Sequence, residues 1–248
     1  MNSPFRIVAW NIRAGGGQRA VEIAEALIAL EPQAVVLSEF RSTAPSQFIA
    51  KALAQNGLTY QHNTCGEVPS GKNGLLVAAR GPIRRISLRR MPTEPGRWCI
   101  VRLEDPRLAI GGMHIPNQHT GRKPGFHDAV VDLAQRWRGG HAVLLGDTNS
   151  GQIGIDEETP VFNRRTHDWF ESLGQAGWVD GFRHLNPETR SYTWYSHRDN
   201  GFRLDQAFVN RSLRQHLKSV EHIWLGATDR RRDALSDHAA LVADFGPT

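Results

Sequence analysis

Cysteine is nearly absent from this chain. Cys65 and Cys99 are its only two, too few for a disulfide framework, and neither sits in the CxxC spacing of a zinc ribbon or redox motif. Ordinary reduced thiols are expected. No apolar run approaches the roughly 20 residues needed to span a bilayer. The opening Met1-Asn2-Ser3-Pro4-Phe5-Arg6 lacks the basic, apolar and small-residue zones of a secretory signal. A soluble protein in the reducing cytoplasm, monomeric, is therefore expected. Acid is the scarcer charge: 25 Asp and Glu against 30 Lys and Arg leave a formal +5 and a pI near 9.7. That balance favours an anionic partner such as nucleic acid, a phosphorylated ligand or a membrane surface. The clustered arginines, Arg84-Arg85, Arg89-Arg90 and Arg230-Arg231-Arg232, read equally well as solvated faces or as phosphate contacts. No internal repeat and no low-complexity linker interrupts the 248 residues, so one domain over 1–248 is expected.

What the chain has is a set of short apolar runs that end in polar, titratable residues. Phe5 to Trp10 reads as a strand running into Asn11, and Ala34 to Leu37 as a strand running into Ser38-Glu39. Leu108 to Met113 leads into His114, and His141 to Leu145 into Gly146-Asp147-Thr148-Asn149. Strands over Leu204 to Val209 and Ala239 to Asp244 follow the polar segments in the reverse sense, behind Asp205 and Ser236-Asp237-His238. Further strands are expected over Gly74 to Ala79, Trp98 to Leu103 and Tyr192 to Tyr195. Helices are expected over Arg19 to Leu30 (with Val21, Ala24, Leu27 and Ile28 on one face), Ser46 to Asn56, Phe126 to Trp137 and Trp169 to Ala176. Residues 150–168 read as a polar loop that could cover a site. The pattern predicts two packed sheets with helices outside.

A carboxylate at the end of a buried strand is costly unless it is paired, hydrogen-bonded or metal-bound. Repeated strand ends carrying Asp, Asn, Glu and His point to one shared site at the rim of a sheet core. Asn11, Glu39, His114, Asp147, Asn149, Asp205, Asp237 and His238 form an oxygen-rich set without thiolates. Such donors suit Mg²⁺, with Mn²⁺ as a substitute, better than structural zinc. Carboxylates around a divalent ion with a histidine nearby suit phosphodiester hydrolysis. Taken singly each residue has a plainer reading. Asp147-Thr148-Asn149 could be an Asx-rich turn, Glu39 a surface residue and His114 a satisfied core histidine.

The ordered set Trp10-Asn11, Ser38-Glu39, His114-Ile115-Pro116-Asn117, Gly146-Asp147-Thr148-Asn149, Arg203-Leu204-Asp205 and Ser236-Asp237-His238 resembles the endonuclease/exonuclease/phosphatase superfamily. In motif it is most similar to the exonuclease III-type abasic-site endonucleases. The resemblance covers Asn11 to His238 and implies a four-layered α/β sandwich, two packed mixed sheets flanked by helices as in DNase I. It implies Glu39 as principal Mg²⁺ ligand with Asn11 beside it, and Asp237 as a further acid near the metal. Asp147 would position or deprotonate the attacking water, and Asn149 would hold a phosphate oxygen. His238 would contact the scissile phosphate with Asp205 orienting its ring. His114 would assist the leaving group.

Ser191 to Trp194 and Phe202 to Asp205 resemble the segments that build a pocket for a base-free sugar in those endonucleases, with Trp194, Phe202 and Leu204 as its lining and Asn117 among the substrate contacts. Core packing of paired strands is the plainer reading of Trp194 and Phe202. Two positions depart from that group: its members usually carry Tyr where His114 stands, whereas DNase I and the phosphatase branches carry His, and Arg13 stands where many carry Asp or Asn. Arg13 cannot ligate a metal but could bind phosphate. Arg122-Lys123 and Lys72-Asn73 are further candidate DNA contacts. The expected function is Mg²⁺-dependent hydrolysis of DNA at abasic sites or 3′ ends. The alternatives are a hydrolase of small or lipid-linked phosphates and a nucleic-acid-binding module that has lost catalysis.

Overall fold

The computed structural model describes residues 4–228 and 231–247, apart from the side chain of Arg232; Met1 to Ser3 and Arg230 of the third arginine cluster lie outside the described residues. In chain order the elements are β1 (Phe5–Asn11), α1 (Ala20–Ala29), β2 (Ala34–Phe40), α2 (Ala44–Gln55), β3 (Tyr60–Asn63), β4 (Gly74–Ala79), β5 (Ile83–Arg85), β6 (Trp98–Leu103) and β7 (Leu108–His114). Then come α3 (Lys123–Arg136), β8 (His141–Asp147), α4 (Arg164–Gln175), β9 (Trp178–Asp180), α5 (Gly181–Leu185), β10 (Trp194–Tyr195), β11 (Gly201–Phe202), β12 (Asp205–Asn210), α6 (Arg211–Arg214), β13 (Leu217–Ile223) and β14 (Ala240–Phe245).

Two six-stranded mixed sheets result, ordered β13-β14-β1-β2-β4-β3 and β5-β6-β7-β8-β12-β9. Side-chain alternation along each strand sends every second residue to a different core. Ile7 and Ala9 of β1 face Val143 and Leu145 of β8 in the layer between the sheets. Val8 and Trp10 face outward, onto Ile23 and Leu27 of α1 and Ile49 and Leu53 of α2. On the far side, Ala142 and Leu144 pack under Phe126 and Val130 of α3 and Trp169 of α4. The order helix, sheet, sheet, helix is the four-layered α/β sandwich expected from the sequence.

Several boundaries differ from expectation, each for a local reason. Helix α1 turns its stripe by one position: Ile23 is fully buried and Val21 is exposed, because Ala20, Ile23, Ala24 and Leu27 form the tighter 3.6-residue face. Helix α4 starts five residues earlier than its apolar run, at Arg164, because the Asn163 side chain caps it by accepting from the Thr166 N–H at 3.0 Å. Tyr192 and Thr193 stand outside β10, which is confined to Trp194–Tyr195. The segment 150–163 packs down rather than forming a loose cover: Asp156 and Glu157 are buried, and the Glu158 N–H donates to the Gly201 carbonyl at 2.9 Å.

That segment is held by a buried ion cluster. Arg203 is fully enclosed and meets Asp156 in a bidentate pair, Nε to Oδ1 and Nη2 to Oδ2, both at 2.8 Å; its Nη2 also reaches Asp180 Oδ2 at 2.5 Å. Arg183 adds a second guanidinium to Asp156 Oδ1 at 2.5 Å. Burial alone would raise the Asp156 carboxyl, but the two arginines outweigh it and hold it below its ordinary range. The cluster fixes the chain one residue before Leu204 and two before Asp205. Arg203→Met leaves two carboxylates short of a partner and is expected to cost about 3–5 kcal/mol, measured by urea unfolding at pH 7. Arg164→Ala, at an exposed pair with Asp168, is expected to change stability by under about 1 kcal/mol.

Candidate active site

The mixed topology brings six strand ends to one edge. β1 runs parallel to β2 with Asn11 beside Ser38, and β7 runs parallel to β8 with His114 beside Asp147. β12 runs antiparallel to β8, so its first residue, Asp205, lies opposite Asp147. β14 runs antiparallel to β1, which brings the Asp237-His238 segment preceding it to the same edge. Gly146 is required at its place: φ is +136°, and a Cβ there would lie 2.1 Å from the Met113 carbonyl oxygen. Glu39 sits at a break in the β2–β4 register with φ +57°, a left-handed residue that redirects its side chain at the rim.

These ends surround a cavity of about 360 Å³ lined by Asn11, Glu39, Asn73, Arg97, His114, Asn117, Asp147, Asn149, Trp194, Leu204, Asp237 and His238. Asp147 stands at the centre. Its Oδ2 accepts from Asn11 Nδ2 at 3.0 Å and faces His114 Nε2 at 3.6 Å and His238 Nε2 at 3.8 Å. Its Oδ1 accepts from the Asn149 N–H at 3.0 Å. Burial raises the Asp147 carboxyl above its usual range, aided by Asp205 and opposed by the two histidines and Asn11.

The two histidines differ in protonation because their partners differ. Burial would lower His238, but Asp205 Oδ2 at 2.9 Å from its Nδ1, with Asp147 beyond Nε2, outweighs that and lifts it to about 10. It is an imidazolium at neutral pH. His114 lacks such a carboxylate contact; burial, with Arg97 and His238 adding repulsion, outweighs the pull of Asp147 and lowers it to about 4. It is neutral at pH 7. The His238 backbone is fixed as well: its carbonyl accepts from Trp10 Nε1 at 2.9 Å, and Ser236 Oγ donates to the Asn11 carbonyl at 2.6 Å.

Of the residues singled out in the sequence, eleven line the cavity, Asn73 of the candidate DNA contacts among them. Asp205 stands one layer behind His238. Phe202 is turned away from the opening, its ring centroid 5.5 Å from Phe162 and 5.9 Å from Trp194, so it backs Trp194 rather than lining the cavity. Arg13 is exposed at the rim with φ +51°, and its N–H donates to Asn11 Oδ1 at 3.0 Å. Lys123 is not a surface charge: it is buried, and its ammonium donates to the Asn149 carbonyl. Burial lowers it to about 8 against the pull of Asp147. Arg122 is tied to Glu94 at 2.7 Å. Sequence reasoning missed Arg97, whose Nη1 donates to the His114 carbonyl at 3.2 Å. It precedes the strand paired with β7 and carries no local motif; only the β6–β7 pairing reveals it.

The donor set fits a hard divalent cation. Asn11, Glu39 and Asp237 all line the cavity and carry amide and carboxylate oxygens; Asn11 Oδ1 and Glu39 Oε2 also accept from the N–H groups of Arg13 and Ala14. Asp147, Asp205 and His238 are also close enough together to hold an ion; there His238 Nδ1 and Asp205 Oδ2 are already joined by a hydrogen bond of 2.9 Å.

The sequence pattern of the Endonuclease/Exonuclease/phosphatase family matches residues 8–238. The chain belongs to this family. Among curated family members it is similar to an exodeoxyribonuclease of Bacillus subtilis (strain 168), 31% identical over 144 residues, covering 49% of this chain and 56% of that protein. It is also similar to exodeoxyribonuclease III of Haemophilus influenzae, 26% identical over 152 residues, covering 51% of this chain and 56% of that protein. The chain thus spans about half the length of the curated relatives it matches. Among solved structures, the fold is similar to an AP endonuclease from Archaeoglobus fulgidus, with a TM-score of 0.80 at 19% identity over 97% of this chain and 99% of that one. It is likewise similar to NExo, a 3′ phosphatase from Neisseria bound to product DNA hairpin, with a TM-score of 0.77 at 22% identity over 98% of this chain and 100% of that one.

The His238 charge depends on Asp205. Asp205→Asn removes the carboxylate that opposes burial, so the ring is expected to lose its proton far below the about 10 of the wild type. A pH titration of the imidazole nitrogen shifts by NMR reads this directly; an unshifted titration would disprove the assignment.

Proposed function

We propose that the chain is a Mg²⁺-dependent hydrolase of DNA phosphoesters, acting at abasic sites or 3′ ends. The observation that carries this reading is the convergence on Asp147: a buried carboxylate of raised basicity, flanked by one charged and one neutral histidine, beside an oxygen-donor set. Together these parts supply a proton acceptor, a positive charge against the phosphate and ligands for a divalent ion, the functions that phosphoester hydrolysis uses. The family, the names of the curated relatives and the net positive charge favour DNA as the substrate.

In this reading Asp147 accepts the proton of the attacking water, the role for which its raised pKa fits it. Asn149, pinned by Lys123 at its carbonyl and by Ile115 through Nδ2 at 2.9 Å, holds the water and a phosphate oxygen. The His238 imidazolium opposes charge developing on the phosphate, and Asp205 keeps the ring oriented and charged. Neutral His114 donates a hydrogen bond to the departing oxygen, with Arg97 holding its main chain. Glu39, Asn11 and Asp237 would bind the metal. When bound, Mg²⁺ neutralises the phosphate and stabilises the leaving oxygen. Trp194 and Leu204 supply an apolar wall against which a base-free sugar packs, with Phe202 stiffening Trp194 from behind. Unstacking is cheapest at such a lesion. Arg13 and Asn117 lie where flanking phosphates would pass.

The test is cleavage of labelled duplexes carrying an abasic-site analogue, a 3′-phosphate or no lesion, in Mg²⁺ and in EDTA. Metal-dependent action on either damaged duplex, in preference to the intact one, is expected. Inactivity on all three, with turnover of a small phosphate ester, would replace this reading by the small-molecule alternative. Asp147→Asn is expected to lower turnover at least about 10³-fold while binding to the abasic duplex in EDTA stays within about threefold. Retained turnover would remove Asp147 from its assigned role.

A further inference from the structure

A second cavity, of about 430 Å³, shares no lining residue with the site around Asp147. Helix α3 connects the two places. Its first residue, Lys123, touches Asn149 at the site, and its last turn and the following Trp137 line the second cavity. Fourteen helical residues span about 20 Å, so the cavity is separate from the site around Asp147.

Its composition is unusual for a solvated cleft. Leu88, Leu133 and Trp137 supply an apolar floor, and among the described residues all other lining side chains are arginine and no carboxylate lines it. Arg102 lies over the Trp137 ring with Cζ 5.9 Å from the centroid, and its Nη1 donates to the Gly139 carbonyl at 3.0 Å. Trp137 Nε1 donates to the Gly140 carbonyl at 2.8 Å. Arg90 and Arg136 share one acid, Asp132, at 3.6 and 2.7 Å. Arg89 and Arg138 have no carboxylate partner among the described residues. The cavity therefore offers an apolar seat ringed by guanidinium groups whose charge is mostly unanswered, which calls for an anion joined to an apolar group.

We propose that this cavity is a docking site for an acidic segment of a partner protein, one that places a hydrophobic side chain on Leu133 and Trp137 and its carboxylates on the arginines. The chemistry favours such a segment over a nucleotide. A nucleobase buried here would need acceptors for its N–H groups, and the lining side chains offer only donors and apolar surface. A leucine or phenylalanine side chain needs no acceptor, and carboxylates only accept. The proposal does not rest on the function assigned to the Asp147 site.

The test uses fluorescence anisotropy of a fluorescein-labelled peptide, Asp-Asp-Asp-Leu-Phe, with the full chain. The wild type is expected to bind it, to bind Asp-Asp-Asp-Ala-Ala at least tenfold more weakly, and to lose at least tenfold in affinity for the first peptide in the double variant Arg89→Glu/Arg138→Glu. Both substituted residues are exposed, so the variant is expected to keep wild-type thermal unfolding and wild-type cleavage of DNA. Absence of peptide binding, or equal affinity for both peptides or both proteins, would overturn the proposal. So would a tenfold loss by the double variant in binding a single-stranded oligonucleotide in EDTA, which would assign the cavity to nucleic acid.

Discussion

The structure depends on keeping one buried carboxylate ionisable. Asp147 ends β8, an inner strand of its sheet, where it is buried and an unpaired charge would cost several kcal/mol. Its neighbours are therefore fixed: an amide from β1, an imidazole from β7, an imidazolium ahead of β14 and an N–H from its own turn. Each comes from a different element, so the carboxylate can be satisfied only when both sheets are in register. The site and the fold are in this sense the same constraint. A shift of one residue in β12 would move Asp205 away from Asp147 and leave His238 without the charge that keeps it protonated.

Around that centre, the supports are buried polar groups rather than apolar contacts. Thr193 Oγ1 accepts from the N–H groups of both Leu204 and Asp205, at 2.9 and 3.2 Å. Arg203 is locked between Asp156 and Asp180. His127 meets Ser150 Oγ at 3.0 Å beneath the Asn149 turn and stacks on Trp169 at 4.2 Å between centroids. A hydrogen-bonded network of this kind rigidifies the loops it ties together, which is what a site that must hold charges at fixed separations needs.

Much of this was legible in the sequence because strand periodicity and polar strand ends are local signals. Asn11, Glu39, His114, Asp147 and His238 each follow or precede an apolar run, and the structure gathers them at one edge. What was not legible depends on pairing. Arg97 reaches the cavity only through the β6–β7 ladder. Lys123 read as a candidate DNA contact because nothing near it in sequence announces that it will be buried against the Asn149 carbonyl. Phe202 and Trp194 are adjacent through the β10–β11 pair, yet only Trp194 faces the opening, a distinction that alternation leaves undecided in two-residue strands. The short strands β5, β9 and β11 carry too few residues for a period to register, and the cavity at the far end of α3 is assembled from three separate segments.

The central claim is that Glu39, Asn11 and Asp237 hold the metal, and that the His238–Asp205 pair does not. A crystal soaked in Mn²⁺ and measured at the manganese absorption edge tests it most directly. The account predicts an anomalous peak beside Glu39 and Asn11, with His238 Nδ1 still hydrogen-bonded to Asp205. A peak between Asp147, Asp205 and His238, with that hydrogen bond broken, would contradict it.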